Sequence, residues 1–231
     1  MKVKIAFLFS LFAMLLSATV TAQQINEMRV ASPGATDDVS NFFELFAAPG
    51  TSLNGLTFLA ISSEFDPGLV TDAISLDGSS IGADGFFLAS ADSTFYGNET
   101  DLATGVDFFN SPQTFLLVDG FAGAVGDDLD VGNDGVIDSP SVFQSILDGV
   151  AIGDTDADDD TFYTTDVLTS PNINVPAHYF RIPDGGPWFF LDDGFVDTSQ
   201  DTPGFSNVPE PASGVLFGLG CLLLGIRRQR H

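Results

Sequence analysis

The sequence predicts a mainly β domain, an antiparallel β-sandwich, set between two short apolar end segments. Three observations carry this. Apolar runs of about 4 to 8 residues recur along the chain, bounded by Gly, Pro, Asn or Asp. No long segment with a helical apolar period competes with them. Phenylalanine is abundant, 23 of 231 residues, and the many small and turn-forming residues around it favour strands over helices.

Taken in order, the first run is Ile25 to Val30. Phe42 to Ala47 follows the Ser32-Pro33-Gly34 turn and an acidic loop. Leu56 to Ile61 follows Asn54-Gly55, a hairpin-type pair. Leu69 to Leu76, Gly85 to Ala89 and Thr114 to Val118 come next. Ile146 to Ile152, Tyr179 to Ile182 and Trp188 to Leu191 complete the series. Ser141 to Leu147 is expected to make a single helical turn after Pro140.

The ends are read separately. Lys2 and Lys4 precede an apolar run from Ile5 to Leu16, and small residues follow as far as Ala22. These are the three parts of a secretory signal, with Val20 and Ala22 at positions −3 and −1 of a cut before Gln23. The run is about 12 residues, too short to span a bilayer that needs roughly 20. Sec-type export machinery and a signal peptidase are the expected partners. At the other end, Val208-Pro209-Glu210-Pro211 interrupts regular structure, because proline lacks an amide donor. Ala212 to Ile226 is apolar or small, and Arg227, Arg228 and Arg230 follow. As a helix that span rises about 22 Å, which snorkelling arginines and local thinning reconcile with a core of roughly 30 Å. The basic cluster places this end on the cytoplasmic side and the domain outside. The chain thus divides into 1–22, a signal helix; 23–207, the β domain; and 208–231, a tail with a short transmembrane helix over 212–226.

Removing both ends changes the charge balance. Five of the seven basic residues leave with them, and Glu210 leaves with the tail, so Arg29 and Arg181 face the 31 acidic residues from Glu27 to Asp201, for a net charge near −29. Such a field repels phosphate backbones and excludes nucleic acid as a partner. It favours solubility in salt water and suits cations. The lone cysteine, Cys221, lies in the tail, so the domain forms no disulfide despite export. Arg29 and Arg181 are expected to pair with carboxylates.

Val-Pro-Glu-Pro, the short apolar span and the terminal arginines resemble the PEP-CTERM sorting signal of Gram-negative bacteria. The resemblance implies an exosortase, a membrane transpeptidase-like protease, as partner. Pro209, Glu210 and Pro211 would be its recognition residues, and the tail would be removed as the protein moves outward. Within the domain, Ile25-Asn26-Glu27, Asn41-Phe42-Phe43-Glu44-Leu45-Phe46, Leu53-Asn54-Gly55-Leu56-Thr57 and Asp201-Thr202-Pro203-Gly204-Phe205-Ser206-Asn207 resemble the lamin-tail domain. That likeness implies an immunoglobulin-like sandwich. Its bacterial members sometimes sit beside nuclease domains, and this chain has none.

One loop is a candidate ion site. In Asp128-Leu129-Asp130-Val131-Gly132-Asn133-Asp134-Gly135-Val136-Ile137-Asp138, alternating oxygen donors surround a glycine turn. Counting Asp130 as position 1 puts Asp134 at 5, Gly135 at 6, the Val136 carbonyl at 7 and Asp138 at 9. Calcium takes 6 to 8 such oxygens. The loop resembles those of EF-hand and thrombospondin type-3 repeats. It departs from them at Gly132, position 3, and Ser141, position 12, and Asp128 is the candidate for a replacement oxygen. The stretch from Asp154 to Asp160 lacks the turn glycine and reads as a solvated loop. His178 has no cysteine or second histidine beside it and no Gly-x-Ser-x-Gly elbow, so it reads as a strand-end polar residue. Trp188 reads as core.

These features point to an exported, non-enzymatic protein with a structural or interaction role at the cell surface or in the extracellular matrix. A second reading is a calcium-dependent binding module for polysaccharide or a surface protein. A third, weaker one is a secreted hydrolase using His178.

Overall fold

The computed structural model describes residues 22–30, 39–96, 100–138, 142–155, 160–172, 174–191 and 198–207. Among these the chain forms strands β1 (Gln24–Arg29), β2 (Phe42–Phe46), β3 (Leu56–Ser62), β4 (Val70–Ser75) and β5 (Phe86–Ser90). They continue with β6 (Leu102–Ala103), β7 (Gln113–Asp119), β8 (Ser145–Gly153), β9 (Val167–Thr169), β10 (His178–Arg181) and β11 (Trp188–Leu191). Two sheets result, ordered β11-β10-β1-β2-β5-β6 and β4-β3-β7-β8-β9. No helix occurs among the described residues, and none there is long and apolar enough to cross a membrane. The expected signal helix and tail helix lie outside the described residues, as do Ser141 and Asp156 to Asp159.

Every expected apolar run contains a strand. Two strands were not expected, β6 and β9. Both are short, and both pair in parallel, on β5 and β8. Two or three residues are too few for a periodic signal to register. The expected helical turn is not formed among the described residues: Val142 to Gln144 bend and the strand begins at Ser145. Gln144 donates its amide to Asp119 O at 2.8 Å, and pairing with β7 begins at Ser145 opposite Asp119. Long-range pairing overrides a weak local preference there.

The core lies where the two sheets meet. Phe43 of β2 stacks on Phe58 of β3, with centroids 3.8 Å apart. Phe58 also meets Phe108 and Phe115, which themselves make an edge contact at 5.2 Å. Ile25, Met28, Leu45, Phe87, Leu117 and Ile152 complete this centre from alternate positions along their strands. At one edge, Arg181 of β10 donates to Asp148 of β8 at 3.0 Å and stacks over Trp188 at 4.4 Å. Asp148 also accepts the Ile25 amide at 2.8 Å, so one carboxylate ties the two sheets together. Trp188 is thus an edge-strand platform for a cation, packed against the core and half-buried.

Both sheets also cover their outer faces. On the second sheet, Leu59, Ile61, Val70, Leu116 and Val118 lie under Leu129 and Phe143. The chain from Gly120 to Asp138, together with Phe143, is the cover. Gly68 makes the close approach to it: a β-carbon there would stand 2.7 Å from the Asp130 amide nitrogen, and its φ of +95° already favours glycine. On the first sheet the cover is the C-terminal segment 198–207, described next.

Candidate functional site

Glu27 and Glu44 are direct cross-strand partners in the pairing of β1 with β2. A register shift between Ile25 and Glu27 lets Met28 face the core while Glu27 and Arg29 point to the outer face. Two like charges placed opposite each other, both fully buried, oppose folding unless donors surround them. The donors come from 175 and 160 residues away. Glu27 Oε1 accepts the Thr202 amide at 2.8 Å, and Oε2 accepts the Thr202 hydroxyl at 2.7 Å. Glu44 Oε2 accepts the Gly204 amide at 2.6 Å, and Oε1 accepts the Asn26 side-chain amide at 2.9 Å. The segment 198–207 is therefore a strap, tied across the sheet by two strand carboxylates.

Arg29, His178 and Tyr96 close the same cluster. Arg29 donates to Asp201 through Nε at 2.7 Å and Nη2 at 2.6 Å, a bidentate pair with both side chains buried. His178, at the start of β10, sets Nε2 2.9 Å from Glu27 Oε1 and Nδ1 3.6 Å from Asp201 Oδ1. The Tyr96 hydroxyl meets Asp201 at 3.0 Å and Ser40 O at 2.9 Å. At the far end, Asp184 accepts the Asn207 amide at 2.9 Å and also holds the Ser206 hydroxyl.

Burial sets the electrostatics of the cluster. It pushes the Glu44 carboxyl well above the usual range, and the neighbouring Glu27 charge adds to this. Burial also raises Asp201, against the pull of Arg29 and His178. The Tyr96 phenol is raised by burial and by Asp201.

Glu27, His178 and Asp201 are the group among the described residues whose ligand atoms converge as a metal site would require. Their geometry is that of a closed hydrogen-bond cluster. His178 already contacts Glu27 directly, and the Arg29 guanidinium occupies the cation position on Asp201. The ring is 1% exposed.

His178 does stand at a strand end, as the sequence suggests, but it is a buried link between two carboxylates rather than a polar terminus. One sequence signal pointed this way. Glu44 is a charged residue inside the otherwise apolar β2, and Glu27 and Arg29 flank the core residue Met28 in β1, placements that call for buried partners. The partner strap could not be assigned from that signal.

The acidic loop is arranged around one carboxylate. Asp130 is fully buried. Its Oδ1 accepts the Asp134 amide at 3.1 Å, and Oδ2 accepts the Gly135 amide at 2.8 Å and the Tyr163 hydroxyl at 3.0 Å. Burial opposes the Asp130 charge, but these donors outweigh it and hold the carboxyl below the usual range. Asp128 accepts the Asp130 amide, and Asp134 accepts the Val136 amide. Gly135 turns with φ +82°. Asp128, Asp134, Val136 and Asp138 are exposed. The five predicted loop residues thus share one turn, with Asp130 as its hub.

Ala22 and Gln23 lie just before β1, and the rest of the signal is outside the described residues. Pro209, Glu210, Pro211 and the arginines at 227, 228 and 230 are likewise outside them. Residues 207–230 match the family model described as the PEP-CTERM protein-sorting motif. No curated protein and no solved structure matches the chain. The motif implies export, a membrane-anchored C-terminal tail before processing, and processing by an exosortase.

Proposed function

We propose that this chain is an exported surface or matrix protein with a structural or interaction role. A Sec-type signal is cut between Ala22 and Gln23, and an exosortase then removes the tail. The observation that carries the reading is the sorting motif over residues 207–230, with Pro209-Glu210-Pro211, apolar span and arginines in order. A non-catalytic role is favoured by where the domain keeps its chemistry. His178, Glu27 and Arg29 are buried under the strap, His178 paired with Glu27 and Arg29 with Asp201.

A lamin-tail-like, immunoglobulin-like sandwich is the fold that suits this reading. What supports it is that the Ile-Asn-Glu, Phe-Glu-Leu and Thr-Pro-Gly segments, far apart in sequence, meet at one cluster. Mass spectrometry of the protein from exosortase-competent cells is the test. The expected mature chain begins at Gln23 and lacks Leu216 to Arg230. A chain that keeps the tail there overturns the reading.

A second reading, calcium-dependent binding of polysaccharide or a surface protein, is favoured by one observation. Asp130 gathers the amides of positions 5 and 6 of its loop around a positive-φ glycine, the turn that a calcium loop requires. Thermal melts with calcium and with chelator test it. A midpoint raised by calcium and lost in Asp130→Ala and Asp134→Ala supports it, and an unmoved midpoint removes it.

A further inference from the structure

Two clefts open beside the edge strand β9, and Thr165 lines both. One, of about 400 Å³, lies between Gly135 to Ile137 of the acidic loop and the chain from Phe162 to Thr165. The other, of about 320 Å³, is lined by Thr165 to Leu168 and by Arg181, Pro187 and Trp188. Each is at the small end for a ligand pocket, about 300–1,000 Å³, but joined at Thr165 they make one groove. Aromatic side chains stand at both ends of it, and they are fixed. The Tyr163 hydroxyl donates to Asp130 at 3.0 Å, and a β-carbon on Gly153 would stand 2.9 Å from the Phe162 ring. Trp188 is held by the Arg181 guanidinium, 4.4 Å from its ring centre. Between the two ends, Thr165 and Asp166 are exposed and supply a hydroxyl and a carboxylate. The Asp166 carbonyl accepts the Ala151 amide at 2.8 Å, which ties this point of the groove to β8.

Charge selects the ligand class. The domain has 31 acidic and 2 basic residues, yet this groove is lined by one carboxylate, Asp166, and one guanidinium, Arg181. Arg181 is buried and gives its donors to Ile25 O, Gly186 O and Asp148, so its charge is met inside the fold. The field of the domain repels a polyanion. One carboxylate is too few for a calcium ion, which takes 6 to 8 oxygens. A neutral chain of linked sugar rings fits. The C–H face of a sugar packs on the negative face of an aromatic ring, and its hydroxyls donate to a carboxylate and exchange bonds with a threonine hydroxyl. Fixed rings lower the ordering cost of such contacts.

We infer that the groove from Tyr163 to Trp188 binds a neutral polysaccharide, taken as an extended run of several sugar rings with Thr165 and Asp166 at its centre. This rests on the interaction reading above and gives it a ligand class; the contacts are made by side chains and need no bound ion.

Trp188 is the one tryptophan of the chain, so its emission reports this groove. The test uses the full chain in a detergent without sugar headgroups, with chelator present. It is titrated in turn with neutral hexasaccharides built of glucose, mannose or galactose, with hexagalacturonate as the anionic contrast. At least one neutral hexasaccharide is expected to change Trp188 emission saturably, with its disaccharide about tenfold weaker or more and hexagalacturonate without effect. Asp166→Ala, at an exposed position, should keep the native melting midpoint and weaken binding about tenfold. Thr165→Arg, which fills the junction of the two clefts, should abolish it. No saturable change with any neutral hexasaccharide overturns the inference. So does a disaccharide that binds as tightly as the hexasaccharide, a preference for hexagalacturonate, or native affinity in both variants. The sorting reading fails separately. A chain that binds the glycan but keeps its tail in exosortase-competent cells overturns that reading and leaves the groove standing, and a processed chain that binds none does the reverse.

Discussion

The outer faces of the two sheets are covered in contrasting ways. On the β4–β9 sheet, Leu59, Ile61, Leu116 and Val118 are covered by Leu129 and Phe143 through apolar contact. On the other sheet, Glu27, Arg29, Glu44 and His178 are covered by the strap through hydrogen bonds to charged groups. Apolar cover is non-directional and tolerates changes that conserve volume. Polar cover demands a partner for each group, and a missing partner leaves a buried charge alone. The difference teaches which face specifies the chain's path and which merely excludes water.

Conservative substitutions on the two faces should separate them most sharply. Asp201→Asn keeps shape but removes the carboxylate charge that holds Arg29 through both Nε and Nη2. Denaturant unfolding is expected to show a loss of about 3–5 kcal/mol. Leu129→Met on the opposite face should cost less than about 1.5 kcal/mol in the same measurement. Equal costs would break the contrast. Thr202→Val is the next largest effect, about 1–3 kcal/mol for a bond to a charged acceptor.

The pH response should carry opposite signs on the two sides. Glu44 and Asp201 have raised carboxyls, so the folded protein holds protons that the unfolded chain has released. Stability from these groups falls as pH rises from the ordinary carboxylate range through their raised values. Asp130, in the loop covering the other face, is lowered, so its contribution is lost as pH falls through its folded value. Midpoints measured across pH should lose the descent on the higher-pH side in Glu44→Gln and the acid-side descent in Asp130→Asn. A native-like profile in either variant assigns that limb to other groups. The smallest expected effect is local. In Asp130→Ala, hydrogen exchange should quicken at Asp134 and Gly135 before the strap amides respond.

Much of the fold was legible because its signals are short-range. Each apolar run between turn residues became a strand, since alternation and turn chemistry act over a few neighbours. The short parallel strands β6 and β9 carry too few residues for such a signal. The turn around Asp130 was legible for the same reason: two of its donors lie four and five residues away, while the third, the Tyr163 hydroxyl 33 residues away, left no local signal. His178 was not, because its partners are 151 residues away in Glu27 and across the strap in Asp201. The pairing of Arg29 and Arg181 with carboxylates was legible in kind, since buried cations need anions, but Asp201 and Asp148 were two among 32 acidic residues.

The sequence by itself determined the β class, the acidic domain free of cysteine, the secretory signal expected at one end and the sorting motif at the other. Composition and contiguous motifs are properties of neighbours along the chain. Only the tertiary structure decided that Glu27 and Glu44 would stand opposite each other, and that the strap would supply the donors they lack. That choice depends on strand register and on closing a loop of more than 150 residues, and neither leaves a local trace.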